Sequence, residues 1–172
     1  PDAAVAPRLG EREAVRRQER LQLLDRRRDV LIHLVGERAV PSVPKDAAAL
    51  WEATLSVDPL APFIYDGCTN IHFPIHTSVK FAHQVGLPGI IHQGTSTLAM
   101  AVHHVLNKEA GGDPHRLMTV YCRFTGMVIP GTPIRIRLVG KNQTTGGTDL
   151  FFAVLNAEGK QAISDGYIKL KA

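Results

Sequence analysis

The sequence is poor in several features that would place a chain in a specialised class. Its 172 residues include two cysteines, too few for the disulfide framework of a small secreted domain. No apolar run approaches the ~20 residues that a membrane-spanning helix needs, and the first residues lack the apolar core of a secretion signal. The last residues are not a peroxisomal address. We therefore expect a cytoplasmic domain with reduced thiols and no membrane attachment.

What is present is an ordinary globular composition. Apolar residues make up 44% and charged residues 21% of the chain, and this length accommodates one domain with a full core plus an appendage. A linker with two prolines around residues 41–44 divides the sequence. We place a charged helix and the linker in residues 1–45, and the main domain in residues 46–172.

The amino-terminal region is rich in arginine and carries a narrow apolar stripe. Four apolar residues at near-helical spacing predict one helix over residues 11–37, namely Leu21, Leu24, Leu31 and Val35. We interpret the arginines first as a solvated helix face. The second interpretation is a surface for an acidic partner such as CoA or an acyl carrier protein. Nucleic acid is not expected, since no recognised motif or aromatic interleaving accompanies the charge.

The sequence of the main domain predicts an α+β fold. Strands are predicted over residues 50–57, 117–125, 132–141, 150–156 and 161–170, separated by glycine- and proline-containing turns. Short helices are predicted from Asp58-Pro59 to about Tyr65 and over residues 78–85. The helix that begins at Gly94 is apolar nearly all round, which is typical of a helix buried on most faces. This order of elements has one strand, then a buried helix, then an antiparallel meander. It predicts a sheet wrapped around a central helix.

The most informative stretch places a polar, histidine-bearing loop before the glycine that opens this apolar helix. Residues 65–77 read Tyr-Asp-Gly-Cys-Thr-Asn-Ile-His-Phe-Pro-Ile-His-Thr, and residues 89–94 read Gly-Ile-Ile-His-Gln-Gly. A helix N-terminus offers unpaired N–H groups and the positive end of the helix dipole. The stretch is therefore suited to hold a general base beside an oxyanion site.

These segments resemble the signature of the MaoC-like hydratases, hot-dog-fold enzymes that hydrate or dehydrate acyl thioesters. Counting back from Pro74-Ile75-His76 puts Tyr65 on the motif tyrosine without a gap. Residues 123–131, which begin Arg-Phe and end Pro-Gly, resemble a later strand and turn of the family. The resemblance covers roughly residues 50–172. It implies a hot-dog fold, an antiparallel sheet around a central helix, to which the predicted amino-terminal helix is an extension.

The resemblance also implies a site. In the family an aspartate and the motif histidine hold the reacting water, and a backbone N–H at the start of the central helix polarises the thioester carbonyl. By position, His76 matches the histidine and Gly94 matches the oxyanion glycine. The aspartate position is Ile71 and the motif asparagine position is Phe73. Isoleucine cannot relay a proton, so His76 lacks the usual partner.

Several residues are candidates to replace that partner. His72 is a candidate acid–base group because imidazole titrates near neutral pH, and a place on the loop rim is an equally weighted alternative. Asn70 is a candidate for orienting a water, although asparagines in turns more often bond their own backbone. For Asp66 we favour a helix-surface role. For Cys68 we favour a small buried filler over a nucleophile.

The remaining site residues are assigned to substrate binding. His92 and Gln93 flank the oxyanion glycine and either touch substrate or cap the helix. Tyr65 is expected to be structural, with its hydroxyl hydrogen-bonded under the loop. The positions of Ile71 and Phe73 in the motif place them beside the substrate.

No metal or cofactor is expected. His72 and His76 have the spacing of a metal pair, but Pro74 breaks helical geometry between them and no third ligand is apparent.

The function implied is that of a lyase of fatty acid or polyketide metabolism. It would add water to, or eliminate it from, an acyl-CoA or acyl-carrier-protein thioester. The alternative is a diverged hot-dog domain without hydratase activity, acting as an acyl-binding or assembly module, or as an isomerase or cyclase. A single sheet of this kind leaves edge strands unpaired. We therefore expect a homodimer or pairing with another hot-dog unit.

Overall fold

The computed structural model of the protein describes residues 47–172. The helix predicted over residues 11–37 lies outside the described residues, as does the linker, and the domain boundary near residue 45 stays a prediction. Among the described residues, no helix is long and apolar enough to span a membrane.

The described residues form one five-stranded antiparallel sheet with the order β1-β3-β4-β5-β2. The strands are β1 Trp51–Ser56, β2 Leu117–Phe124, β3 Pro133–Thr144, β4 Gly147–Leu155 and β5 Gln161–Leu170. The predicted meander is right for β3, β4 and β5, which follow one another as neighbours. It is wrong for β2, which crosses to the far edge and pairs with β5. The opposite edge is β1, paired with β3.

Alternation of side chains along β3 shows how the sequence forms the core. Ile134, Ile136 and Leu138 are buried, while the residues between them face outward, as the two-residue period of a strand requires. The middle strand β4 is buried at nearly every position, and its Phe151 packs against Tyr167 of β5. The core contains, besides the β3 residues, Leu150, Phe152, Val154, Ile163, Ile168 and Leu170.

The central helix, α3, spans Gly94–Glu109 and packs on this sheet. Its buried positions are Ser96, Thr97, Ala101, Val105 and Leu106. Leu98, Met100 and Val102 are only partly buried. Thr95, Ala99, His103 and Asn107 are exposed and follow one another at four-residue spacing along one narrow side. The helix is therefore buried or partly buried on most of its faces, as the apolar pattern predicts.

A polar cluster ties the end of α3 to the sheet. The Trp51 indole N–H donates to Glu109 Oε1 at 2.7 Å, and Lys141 donates to the other carboxylate oxygen at 2.7 Å. Lys108 lies 4.4 Å from the centroid of the Trp51 ring, a cation–π distance. These contacts join β1, β3 and the carboxyl end of α3.

Two short helices and a 3₁₀ turn precede α3. Helix α1 spans Ala61–Thr69 and α2 spans Val79–Gln84, with the 3₁₀ turn Pro74–His76 between them. The first short helix was expected from Asp58 to about Tyr65, but it begins later and continues to Thr69. Asp58 instead accepts the Leu60 N–H at 2.7 Å and forms a turn ahead of the helix. As a consequence, the first residues of the motif lie on a helix rather than in a loop.

Candidate active site

The two halves of the motif meet at the amino end of α3. The segment that enters this helix is fixed by the Ile91 N–H, which donates to the Ile75 carbonyl oxygen at 3.2 Å, and by the His92 N–H, which donates to the Val128 carbonyl oxygen at 2.7 Å. The first bond joins the segment to the 3₁₀ turn that carries His76. A backbone hydrogen bond thus connects the turn that carries His76 to the segment that leads into Gly94.

His76 is held as a neutral base. Its Nδ1 lies 2.8 Å from the Ile91 carbonyl oxygen, and because a carbonyl oxygen only accepts, Nδ1 carries the proton and Nε2 is left as the basic nitrogen. Burial lowers the pKa of His76, which outweighs the raising effects of the Ile91 bond and of the Asp66 charge. At neutral pH the ring is thus uncharged and able to take a proton.

Within residues 47–172, no side chain caps the start of α3. Gln93 is the N-cap residue, but its side-chain amide donates to the Pro62 carbonyl oxygen of α1 at 2.9 Å. The first N–H groups of a helix have no partner inside the helix. Gly94, the first helical residue, lies under the Phe124 ring, and a Cβ at this position would come within 2.9 Å of Phe124 Cδ1. Glycine is what permits that close approach.

A carboxylate and an amide hold His72. Asp66 Oδ2 lies 2.9 Å from His72 Nδ1, and Asn70 Oδ1 lies 2.6 Å from His72 Nε2. Asn70 ends α1 in the left-handed conformation, with φ of 55°, which asparagine adopts more readily than most residues. The Asp66 side chain is only 15% exposed, whereas the His72 side chain is 66% exposed, so His72 lies on the rim of the loop. The helix-surface role favoured for Asp66 is therefore wrong, and Asn70 contacts His72 rather than its own backbone alone.

His92 and Gln93 are buried with polar atoms that no described residue satisfies. Both His92 ring nitrogens, Gln93 Oε1 and Asp66 Oδ1 make no hydrogen bond within residues 47–172, where the one other such atom is His104 Nε2. An unpaired buried polar group costs on the order of 1–3 kcal/mol. Burial, with a smaller contribution from His76, lowers the pKa of His92 to about 4. Four of the five unsatisfied atoms thus lie at this site, where a water or a ligand would stabilise them.

The apolar site candidates divide into two kinds. Phe73 packs edge-on against His76, with ring centroids 6.1 Å apart, so it borders the base. Ile71 is exposed. The Tyr65 side chain is half-buried, but the expected hydrogen bond of its hydroxyl has no partner among the described residues. Within those residues, no three His, Cys, Asp or Glu side chains form a metal-binding group.

Neither cysteine is placed as a nucleophile. Cys68, expected to be a buried filler, is exposed on α1, so that expectation is wrong. Burial raises the pKa of the Cys122 thiol to about 11, which keeps it protonated at neutral pH.

Sequence reasoning missed the orientation of Asp66 and the contact of Phe124 with Gly94. A signal for Asp66 was present: it lies four residues after Pro62, and residues at that spacing share one face of a helix. Pro62 is the buried residue of α1, so Asp66 faces inward too. No local signal identifies the Phe124 contact, because 30 residues separate it from Gly94.

The sequence and its fold match known proteins. A family model for the MaoC like domain matches residues 48–158. Peroxisomal multifunctional enzyme type 2 of Drosophila melanogaster is 31% identical over 147 residues, which make up 85% of this chain and 23% of that enzyme. The chain thus spans about a quarter of the length of this relative.

Solved structures share the fold. The full-length Drosophila melanogaster enzyme aligns with a TM-score of 0.70 at 26% identity, over 79% of this chain and 24% of that one. R-hydratase PhaJ1 of Pseudomonas aeruginosa aligns at 0.63 and 18% identity, over 75% and 82%. The ChsH1-ChsH2 complex of Mycobacterium tuberculosis aligns at 0.62 and 14% identity, over 73% and 95%. The predicted hot-dog fold is confirmed.

The matched region contains the complete motif from Tyr65 to Gly94 and the Arg123-Phe124 strand. The match covers well over half of the chain. The chain belongs to the MaoC-like domain family.

Proposed function

We propose that the chain is a hydro-lyase that reversibly adds water to an enoyl thioester carried by CoA or an acyl carrier protein. The observation that carries this proposal is the state of His76. Its Nδ1 proton is fixed on the Ile91 carbonyl oxygen, and its pKa is lowered by burial. The ring is therefore a neutral base with a defined basic nitrogen, placed beside an uncapped helix start.

Each group has a role in the dehydration direction. His76 Nε2 removes the α-proton of a β-hydroxyacyl thioester, and the electron pair delocalises onto the thioester oxygen. The N–H groups at Gly94 stabilise that oxyanion, aided by the positive end of the α3 dipole. The bond from the β-carbon to the hydroxyl oxygen breaks as an acid protonates the oxygen, releasing water and leaving the enoyl thioester. Hydration is the same sequence in reverse.

The surrounding residues are proposed to position the substrate. Phe73 and Phe124 border His76 and Gly94 with aromatic rings, and such rings suit the apolar part of an acyl chain. His92 and Gln93 contribute the unsatisfied polar atoms of the site. Tyr65 and Ile71 form its outer margin.

The alternative is a diverged hot-dog domain that binds an acyl group, or moves a proton, without adding water. The residue that favours it is Ile71, which stands where the family has its aspartate and is exposed. The two proposals differ in one measurement. A hydratase consumes the enoyl absorbance of crotonyl-CoA and generates it from (R)-3-hydroxybutyryl-CoA, whereas an acyl-binding module changes neither.

The proposal further includes a second hot-dog unit, from a copy of this chain or from another chain. It is supported by the unpaired outer edges of β1 and β2 within the described sheet. A cytoplasmic location is proposed as well, supported by the free thiols of Cys68 and Cys122, which suit a reducing compartment.

Replacing the base tests the function. His76→Ala is expected to lower kcat for crotonyl-CoA hydration by at least ~100-fold, the low end of what general acid–base catalysis contributes. Folding should change little, since His76 is outside the core cluster. His103→Ala, which removes an exposed histidine of α3, is the matched control and should keep full activity. Undiminished hydration by His76→Ala would overturn the assignment of the base.

A further inference from the structure

The Asp66 carboxylate contacts His72 and also acts on His76 through its charge. Asp66 Oδ2 contacts His72 Nδ1 at 2.9 Å, and the same carboxylate is close enough to His76 for its negative charge to oppose the effect of burial on that ring. The Asp66 side chain is largely buried, and its second oxygen, Oδ1, has no hydrogen-bond partner among the described residues. A buried, incompletely paired carboxylate is costly unless the site uses its charge.

We infer that Asp66, delivered by α1, supplies the carboxylate missing at Ile71, as a positioning residue that orients His72 to act as the acid–base partner of His76. This inference rests on the proposed function and deepens it. The Asp66 carboxylate comes from α1, whereas the family's aspartate lies at the loop position of Ile71. Asp66 acts through the His72 imidazole, whereas the family's aspartate acts directly on water.

The docking of α1 explains why Asp66 faces the site. The Pro62 carbonyl oxygen accepts from the Gln93 side chain at 2.9 Å, which fixes α1 against the start of α3. Asp66 follows Pro62 by four residues and so lies on the same face of the helix. The Asn70 N–H donates to the Asp66 carbonyl oxygen at 3.0 Å, closing the helix just before His72.

The hydrogen bonds of His72 define its role. Carboxylate oxygens accept only, so the Asp66 contact places a proton on Nδ1. Nε2 faces Asn70 Oδ1 at 2.6 Å; with that oxygen as acceptor, Nε2 carries a proton too. When both ring nitrogens carry a proton, Nε2 is the one that can give it to a substrate, and the carboxylate stabilises the charge, as in other carboxylate–histidine pairs.

Proton transfer balances across the two histidines. In dehydration, His76 Nε2 gains the α-proton, and His72 Nε2 donates a proton to the departing hydroxyl, which leaves as water. His76 then releases its proton to solvent and His72 takes one from solvent, so the enzyme returns to its starting state. For this transfer the substrate hydroxyl replaces Asn70 at Nε2.

Asp66→Asn in the full chain tests the inference, because asparagine keeps the shape and removes the charge. We expect kcat for crotonyl-CoA hydration to fall at least ~10-fold with KM little changed. The groups facing His76 are Asp66, His92 and the Ile91 carbonyl. Removing the Asp66 charge leaves the effect of burial less opposed, so the pKa of His76 falls. For dehydration of (R)-3-hydroxybutyryl-CoA, in which neutral His76 is the base, the acidic limb of the kcat/KM profile should accordingly move to lower pH.

Two further comparisons separate positioning from a general structural effect. His72→Gln and the double variant Asp66→Asn/His72→Gln should lose similar activity, since Asp66 has nothing to orient once His72 is gone. Ring ¹⁵N shifts of His72 should show a changed protonation pattern in Asp66→Asn. Asp113→Asn is the matched control: it lies beyond the far end of α3, a helix of 16 residues and so about 24 Å long.

The outcomes are distinct. If the wild-type chain hydrates crotonyl-CoA and Asp66→Asn does so with unchanged kcat and pH profile, the inference is overturned and the proposed function stands. Additive losses in the double variant, or unchanged His72 ¹⁵N shifts, would equally overturn it. If the wild-type chain hydrates no enoyl thioester, the proposed function fails, and the acid–base role of His72 fails with it, whatever the ¹⁵N shifts show.

Discussion

At the scale of single residues, His92 couples the site to the stability of the fold. It is 3% exposed, and burial lowers its pKa from 6.5 to about 4. Between these two pH values the unfolded chain binds a proton at this position that the folded chain does not. The free energy of unfolding therefore falls as the pH drops from 6.5 toward 4, by at most ~1.4 kcal/mol per pH unit.

His92→Gln is expected to reduce this acid sensitivity. Urea unfolding at pH 7 and at pH 5 measures this sensitivity. Between these pH values the free energy of unfolding should fall by about 1–2 kcal/mol more for the wild-type chain than for the variant. His103→Gln, at an exposed position of α3, should behave like the wild type. Equal losses in the wild type and in His92→Gln would show that His92 does not titrate between these pH values.

At the scale of elements, two glycines respond oppositely to the same substitution. Gly166 on β5 pairs with Phe152 on β4, and a Cβ there would crowd the Phe152 carbonyl oxygen and ring. Gly67 is an exposed residue of α1 whose added Cβ meets nothing within 4 Å. The sheet position has no room for a methyl group, whereas the helix position has open space.

Gly166→Ala should therefore lower the free energy of unfolding by about 1–3 kcal/mol or more, as overpacking does. Gly67→Ala should raise it by about 0.5–1 kcal/mol, the helix propensity gained over glycine. Denaturant unfolding of both variants checks the pair. A stabilised Gly166→Ala would contradict the register of β4 and β5 described above.

The elements differ in how far local sequence predicts them. The bounds of β5, Gln161–Leu170, agree with the prediction because alternation and flanking turns define that strand locally. The position of β2 beside β5 depends on pairing between segments distant in sequence, for which there is no local signal. Helix α1 runs past Gly67, since a helix interior tolerates one glycine at a cost of about 1 kcal/mol and α1 is docked through Pro62.

The residues of the candidate site also differ in how far local sequence predicts their positions. His76 and Gly94 were predicted from two nearby segments, 65–77 and 89–94, and a backbone hydrogen bond from Ile91 to Ile75 joins those segments. The contacts of Asp66 with His72, and the burial of His92, depend on how α1 packs against α3. Such packing depends on contacts between segments that are not adjacent in sequence. The motif spacing therefore predicted which histidines belong to the site but not which residues surround them.

At the scale of the whole molecule, exposed apolar residues indicate pairing. Leu60, Phe63 and Ile64 are exposed on or beside α1, and β1 and β2 each have one unpaired edge within the described sheet. Exposed edges and apolar patches favour association. A twofold homodimer is the commonest arrangement that covers such surfaces.

Light scattering at micromolar concentration should therefore report about twice the 18.8 kDa of the chain. The expectation for a dilution series at micromolar concentration is a constant mass. A mass of one chain would contradict the homodimer and leave pairing with a different hot-dog chain as the arrangement to test.

The cluster around Trp51 has a consequence for spectroscopy. Trp51 is the single tryptophan of the chain, and its indole is held by Glu109 and Lys108 at the carboxyl end of α3, the end opposite Gly94. The fluorescence emission of Trp51 should therefore change when that end of the helix separates from the sheet. Binding of a ligand near Gly94 should leave it unchanged. Intrinsic fluorescence is the natural signal for the unfolding experiments, and ligand titrations need a dye or a labelled substrate of their own.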